Sequence, residues 1–202
     1  LELAVLCVQV RATHGKASQW LRLAELVHRA VPYPVLLIQT LVPSATATPD
    51  DGPPRPPAQL ALSLAHKRAA QNEVGKVVLD GELVLSELLG PGPSAASVGG
   101  PLLEAMALDR QPHQDLMALY QGWMDCFTAA EAARLTGNFR LPDGTTAAAA
   151  QREALRACQR LEQEAARLRS QAAKERQIAK QVDLNLELQR LDARLRAARA
   201  QL

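Results

Sequence analysis

The sequence predicts an α+β protein in which a small, mostly antiparallel sheet carries one packed helix and is followed by a helical half ending in a helical hairpin or coiled-coil arm. Three observations lead there. Strand-length runs rich in Val and Leu are confined to the first part of the chain, before Gly90. From Pro101 onward the segments have helical spacing except Gly137 to Thr146. The last 52 residues, Gln151 to Leu202, contain no Gly, no Pro and no aromatic residue, and repeat Leu or Ala at helical steps between Arg, Glu and Gln. The expected organisation is an α/β body at 1–90, a linker at 91–100, a helical connector at 101–150 and a helical arm at 151–202.

Glu2 to Arg11 alternates loosely and is rich in Val and Leu, which suits a strand with both faces largely covered. Ser18 is placed to cap a helix whose Trp20, Leu23, Ala24, Val27 and Val31 share one face, with Arg22, Glu25 and Arg29 opposite and Pro32 as its stop. Val35 to Val42 is a continuous apolar run of strand length and reads as central. Pro43 to Pro57 holds six prolines together with Asp50-Asp51-Gly52, which fits only an exposed loop. Leu60 to His66 is the third strand, ending in Lys67-Arg68, and Val74 to Leu79 is the fourth. Asp80-Gly81 then suits a type I′ hairpin into Glu82 to Leu85, or a turn ahead of a short helix at Ser86 to Leu89. Gly90 to Gly100 mixes Gly, Pro, Ser and Ala as a flexible linker does. Leu102, Leu103, Met106, Leu116, Leu119, Tyr120, Trp123 and Phe127 supply the apolar faces of the connector.

In the arm, Cys158, Leu161, Ala165, Leu168 and Ala172 follow the steps of a coiled-coil seam, and Leu184, Leu188, Leu191, Leu195, Ala198 and Leu202 do so farther on. The two stripes are out of phase, because the first register run forward reaches Ala179, Val182 and Leu186. A helix whose apolar face jumps must change partners or bend back on itself. Leu184, Leu188, Leu191 and Leu195 are therefore candidates for a seam with a partner helix. Residues 151–202 carry 12 Lys and Arg against 7 Asp and Glu, while the remaining residues carry 11 against 14. Interleaved Arg and Glu ordinarily form a solvated helix face. The alternative is a surface for phosphates or an acidic protein, with Arg169, Lys174, Glu175, Arg176, Gln177, Lys180 and Asn185 as its candidate residues.

No stretch approaches 18 uninterrupted apolar residues and Leu1 to Val10 lacks a basic lead, so a soluble, cytoplasmic protein without membrane contact is expected. The chain opens on Leu1 without Met, and further N-terminal residues are expected to be missing. Cys7, Cys126 and Cys158 are odd in number and unrelated in spacing, which fits reduced packing residues rather than disulfides or a zinc ribbon. His14, His28, His66 and His113 have no metal-site spacing, Gly75-Lys76 lacks a phosphate-loop glycine, and no G-x-S-x-G occurs. No catalytic residue, metal or cofactor is therefore assigned. A divergent metal-dependent nuclease stays open as an alternative, since a helix followed by three strands can belong to such a core. Gln39, Thr40, Ser63 and Lys67 cannot supply its carboxylates, which leaves Asp80 and Glu82 beside Lys67. Of the six aromatics, none lies in the arm, so base stacking is unsupported and any DNA contact would be to phosphates.

Four blocks carry a resemblance: Ala30-Val31-Pro32-Tyr33-Pro34-Val35-Leu36, Ala65-His66-Lys67-Arg68, Leu119-Tyr120, and Lys174-Glu175-Arg176-Gln177 with Val182-Asp183-Leu184-Asn185-Leu186-Glu187-Leu188. In order and spacing the chain resembles the bacterial domain-of-unknown-function family 4391 over nearly its whole length. The tail block is similar to the family pattern K-E-x-Q-F-x-x-K-V-E-L-N-x-E-L, with Ile178 for the aromatic, Gln181 for the basic residue and Asp183 for Glu. The resemblance implies genomic company with DNA methyltransferases, SNF2-type helicases and restriction-like nucleases in defence clusters. It brings no established catalytic residues. The expected function is a non-catalytic accessory or scaffold subunit of a bacterial DNA modification or anti-phage defence assembly. Its expected partners are proteins such as a helicase, methyltransferase or nuclease, with duplex DNA contacted through phosphates. A structural homo-oligomer held by the arm is the third expectation.

Overall fold

The computed structural model describes residues 2–11, 17–42, 59–71, 77–89 and 93–202; among these, the side chains at 11, 17–19, 41, 42, 82, 87–89 and 93–97 are not described. The proline-rich loop expected at Pro43 to Pro57 lies outside this description. Ser18 does not cap the first helix, which already begins at Ala17 and includes it. The elements run β1 (Ala4–Arg11), α1 (Ala17–Ala30), β2 (Val35–Val42), β3 (Gln59–Ala69), β4 (Val77–Leu89), α2 (Pro93–Ala105), α3 (Leu116–Thr136), α4 (Gly144–Lys174) and α5 (Ile178–Arg199), with a short 3-10 turn at Leu108–Arg110. They divide into two compact units, 1–130 and 131–202, the last turn of α3 falling in the second.

The first unit is built on a four-stranded sheet of order β1-β2-β3-β4. β1 and β2 pair in parallel, which requires a crossover, and α1 provides it. β2–β3 and β3–β4 pair antiparallel, so the sheet is mixed with two antiparallel pairs out of three. The apolar run of β2 is explained by its interior position, where Val35 and Leu37 are fully buried. They pack with Ala24 of α1, and Leu6, Val8, Val27, Val31, Leu83 and Leu85 close around them. Trp20 packs with Ala61 beside Val10 and Leu85.

Four expectations need correction. β1 is an edge strand: Val5 is 55% exposed and Cys7 is exposed, so this strand is not covered on both faces and this cysteine is not a packing residue. Asp80-Gly81 makes no hairpin, because β4 runs continuously through it from Val77 to Leu89. The register shifts there instead: Lys67 faces Leu79 while Ala65 faces Leu83, so three residues of β4 oppose one of β3. Gly81 absorbs this bulge at φ +83°, a conformation that glycine adopts without a Cβ clash. The short helix considered at Ser86 to Leu89 is likewise strand. The predicted linker at 91–100 belongs from Pro93 onward to helix α2, despite Gly99, Gly100 and Pro101. Burial of Val98, Leu102 and Ala105 outweighs the poor local propensity of those residues.

The fully buried Phe127 and Tyr120 of α3, with Trp123 and Met124, extend the first unit's core. Trp123 donates its indole N–H to the Met106 carbonyl at 3.0 Å, and Gln111 donates to the Ala105 carbonyl at 2.6 Å. A side chain at Gly122 would place Cβ 2.3 Å from Gln111 Oε1 and 2.9 Å from Pro112 Cδ, so α3 must be bare there. The second unit is dominated by α4 and α5, which form a helical hairpin.

Candidate functional site

Three of the blocks that carry the resemblance meet in the first unit. The β2–β3 register runs from Leu41↔Gln59 to Leu37↔Ser63, and two residues farther on Val35 would face Ala65. At that point the Tyr120 hydroxyl accepts from the Ala65 N–H at 3.0 Å and lies 2.9 Å from the Val35 carbonyl, to which it can donate. A phenol from α3 thus bridges the mouth of the β2–β3 ladder. Burial raises its hydroxyl to about 12, which keeps it a donor. Lys67 donates to the carbonyls of Val31 and Tyr33 just beyond α1, where a cation suits the helix C-terminus. Burial lowers this ammonium to about 8.

Beneath α1, His28 Nε2 meets Ser63 Oγ at 3.1 Å, and Gln39 donates to the Trp20 carbonyl at 3.1 Å. Burial, with the Lys67 charge as a second cause, lowers His28 to about 4, so its imidazole is neutral at neutral pH. These groups tie α1 and α3 to the sheet. The alternative carboxylate site does not gather around Lys67. Asp80 pairs with Arg68 at 3.4 Å, and Arg68 projects from the opposite face of β3 to Lys67 because strand side chains alternate. The Glu82 side chain is outside the described residues. Among the described residues no group of three His, Cys, Asp or Glu could hold a metal. No helix among them is long and apolar enough to cross a membrane.

The predicted interaction residues all fall on the hairpin. Cys158, Leu161 and Ala165 of α4 pack with Leu191 and Leu195 of α5, and Leu188, Ala198 and Leu202 close the cluster. Arg169 pairs with Asp192 at 3.2 Å and Glu162 with Arg199 at 2.7 Å, so numbers rise along one helix as they fall along the other. Chain reversal accounts for the phase slip, because each stripe needs only to face the other. The seam proposed for a partner helix is thereby occupied from within the chain: Leu191 and Leu195 are buried, and Leu184 and Leu188 half-buried.

The turn between the helices is built from the tail block itself. Glu175 accepts from the backbone N–H groups of Arg176 at 2.8 Å and Gln177 at 2.9 Å. The Gln177 hydrogen bond is the leading cause holding its carboxyl below the usual carboxylate range. Gln181 reaches back to the Glu175 carbonyl at 2.8 Å. The Glu175 side chain is therefore a turn-former rather than a free ligand, the exposed Gln177 side chain joins the turn through its backbone N–H alone, and Arg169 shares an exposed pair with Asp192. Lys174, Arg176, Lys180 and Asn185 remain exposed.

The sequence pattern does not single out one apolar row that the hairpin leaves exposed. Ile178 is 78% exposed, Val182 52% and Leu186 48%, at steps of four along the side of α5 away from the buried seam. The signal was present in Val182 and Leu186, which continue the first register, but only the chain reversal shows that this stripe has no partner within α4. Asp183 and Glu187 directly follow Val182 and Leu186, and Arg190 and Arg194 lie about one and two turns beyond Leu186, all four exposed.

A family model described as Domain of unknown function (DUF4391) matches residues 1–195. No curated protein and no solved structure matches the chain.

Proposed function

The chain belongs to the DUF4391 family, and from that premise we propose that it is a non-catalytic accessory subunit whose hairpin docks on a protein partner within a bacterial DNA modification or anti-phage defence assembly. The observation that carries this reading is the exposed stripe Ile178, Val182 and Leu186 on a helix already satisfied on its opposite side. Three large aliphatic side chains in a row in water are costly unless covered, at roughly 1.5–3 kcal/mol for each one fully buried. The occupant is a partner helix with its own apolar stripe, basic where it meets Asp183 and Glu187 and acidic where it meets Arg190 and Arg194. The company of methyltransferases, helicases and nucleases implied by the family resemblance sets the kind of assembly, and a cytoplasmic location goes with it.

The test is co-purification of the full chain with the products of neighbouring genes, compared with the triple variant Ile178→Ser, Val182→Ser, Leu186→Ser. The triple variant should keep its helical circular dichroism and lose the complex. An unchanged complex overturns the docking face. A single self-associated species by light scattering, lost in the triple variant, moves the reading to a homo-oligomer, because an antiparallel second copy of α5 presents the same charge pattern.

A further inference from the structure

We infer that the outer face of α4 is a binding surface for the phosphate backbone of duplex DNA, distinct from the α5 stripe. The surface is defined by the hairpin. With Cys158, Leu161, Ala165 and Leu168 turned in against α5, the opposite side of α4 carries Arg152, Arg156, Arg160, Arg167 and Lys174 at helical steps, with Gln163 and Ser170 completing the row. Arg152 and Arg156 each stand two residues before a buried position, Ala154 and Cys158, a rotation of about 200° around the helix. Arg156, Arg160, Arg167 and Lys174 are exposed.

The three glutamates of this stretch lie off the row, with Glu164 along its edge one turn after Arg160 and one turn before Arg167. Glu162 is drawn to the flank by its 2.7 Å pair with Arg199, and Glu153 sits at the margin in an exposed 3.0 Å pair with Arg160. Such a pair is held weakly and can be exchanged for a phosphate. Arg169, the one α4 cation off this face, is the one bound to Asp192.

Geometry favours a duplex over a single strand. From Arg152 to Lys174 the row runs straight for about 33 Å, the length of about ten base-pair steps. The row contains no aromatic side chain on which an unpaired base could stack. Arginine fits this role because its fork bonds phosphate oxygens in pairs.

The experiment titrates a fluorescent 20-base-pair duplex with the full chain at several salt concentrations, with polyglutamate as competitor. Wild type should bind with little sequence preference, with affinity falling about 150-fold between 50 and 200 mM salt for the four exposed cations as phosphate contacts. Replacing Arg156, Arg160, Arg167 and Lys174 by Gln should flatten the log–log salt slope by about 3.6, and each single replacement by about 0.9. Removing four exposed cations elsewhere, at Arg22, Arg29, Arg110 and Arg140, should leave the slope unchanged. The single replacements keep the test readable if the quadruple variant loses helicity. Absence of duplex binding at low salt, or an equal loss in the second set, overturns the inference. So does polyglutamate displacing the duplex at equal charge, which would make the occupant an acidic protein.

Discussion

The His28 imidazole and the Arg156 guanidinium stand at opposite extremes of this molecule. His28 is 1% exposed, held against Ser63 under α1, while Arg156 lies on the open side of α4. The same division holds across the two regions they belong to. In the sheet unit Tyr120, Lys67 and the Gln39 amide N–H bond to backbone carbonyls, and Ser63 meets His28. In the hairpin the apolar side chains supply the contact between helices, and the outer cations and α5 stripe face water. Polar groups turned inward fix a structure, because leaving one unpaired there costs about 1–3 kcal/mol. Polar groups turned outward cost little to hold and remain available. The sheet unit is thus held by buried polar contacts, while the hairpin leaves an apolar stripe and a cationic row exposed.

This contrast breaks first at the hairpin seam. Leu191→Asp with Leu195→Asp should destabilise α4–α5 by more than about 5 kcal/mol, since two buried Leu are lost and two carboxylates are forced into an apolar seam. Hydrogen exchange should show both helices unprotected, and retained protection would mean the seam is not packed from within. The serine substitutions on the outer stripe should each shift stability by less than about 0.5 kcal/mol.

Acid should strike the sheet unit next. His28 is lowered to about 4 from its ordinary 6.5, so the unfolded chain takes up a proton before the folded one does. Stability should be full above about pH 6.5 and fall as the pH drops toward 4, by at most about 3 kcal/mol, then level off. Denaturant midpoints across that window check it, and a flat profile would place His28 in water. Tyr120→Phe should cost about 1–3 kcal/mol by stranding the Ala65 N–H and Val35 carbonyl, a fall in Tm of roughly 2–12 °C. An unchanged Tm would show the bridge to be dispensable.

Smaller effects sharpen the same line. Arg169→Gln should cost less than about 1 kcal/mol, because its pair with Asp192 is solvent-exposed, and a larger loss by thermal melting would make the pair a true clamp. Incubation of plasmid and oligonucleotides with Mg²⁺ or Mn²⁺ should yield no cleavage by the isolated protein. Cleavage that vanishes in Asp80→Asn would make the sheet unit a catalyst.

Local pattern was enough to place most helices and strands, and its failures share a cause. Asp80-Gly81 has the composition of a hairpin turn, but β3 continues past it to Ala69, and pairing with that strand keeps β4 extended through a bulge. Gly99 to Pro101 reads as a linker until Val98 and Leu102 are given something to pack against. The candidate interaction residues have mixed structural roles, since a turn-forming glutamate such as Glu175 and an exposed lysine such as Lys174 look alike in one dimension.

By itself the sequence determined an α+β protein with a basic, aromatic-free helical arm and two apolar stripes out of phase, because helix and strand periods are local properties. Tertiary structure alone decided that the stripes face each other, that Tyr120 bridges Val35 and Ala65, and that Arg156, Arg160, Arg167 and Lys174 of α4 share one exposed face. Which distant segments meet depends on pairing and burial summed over the whole chain, and no local period encodes it.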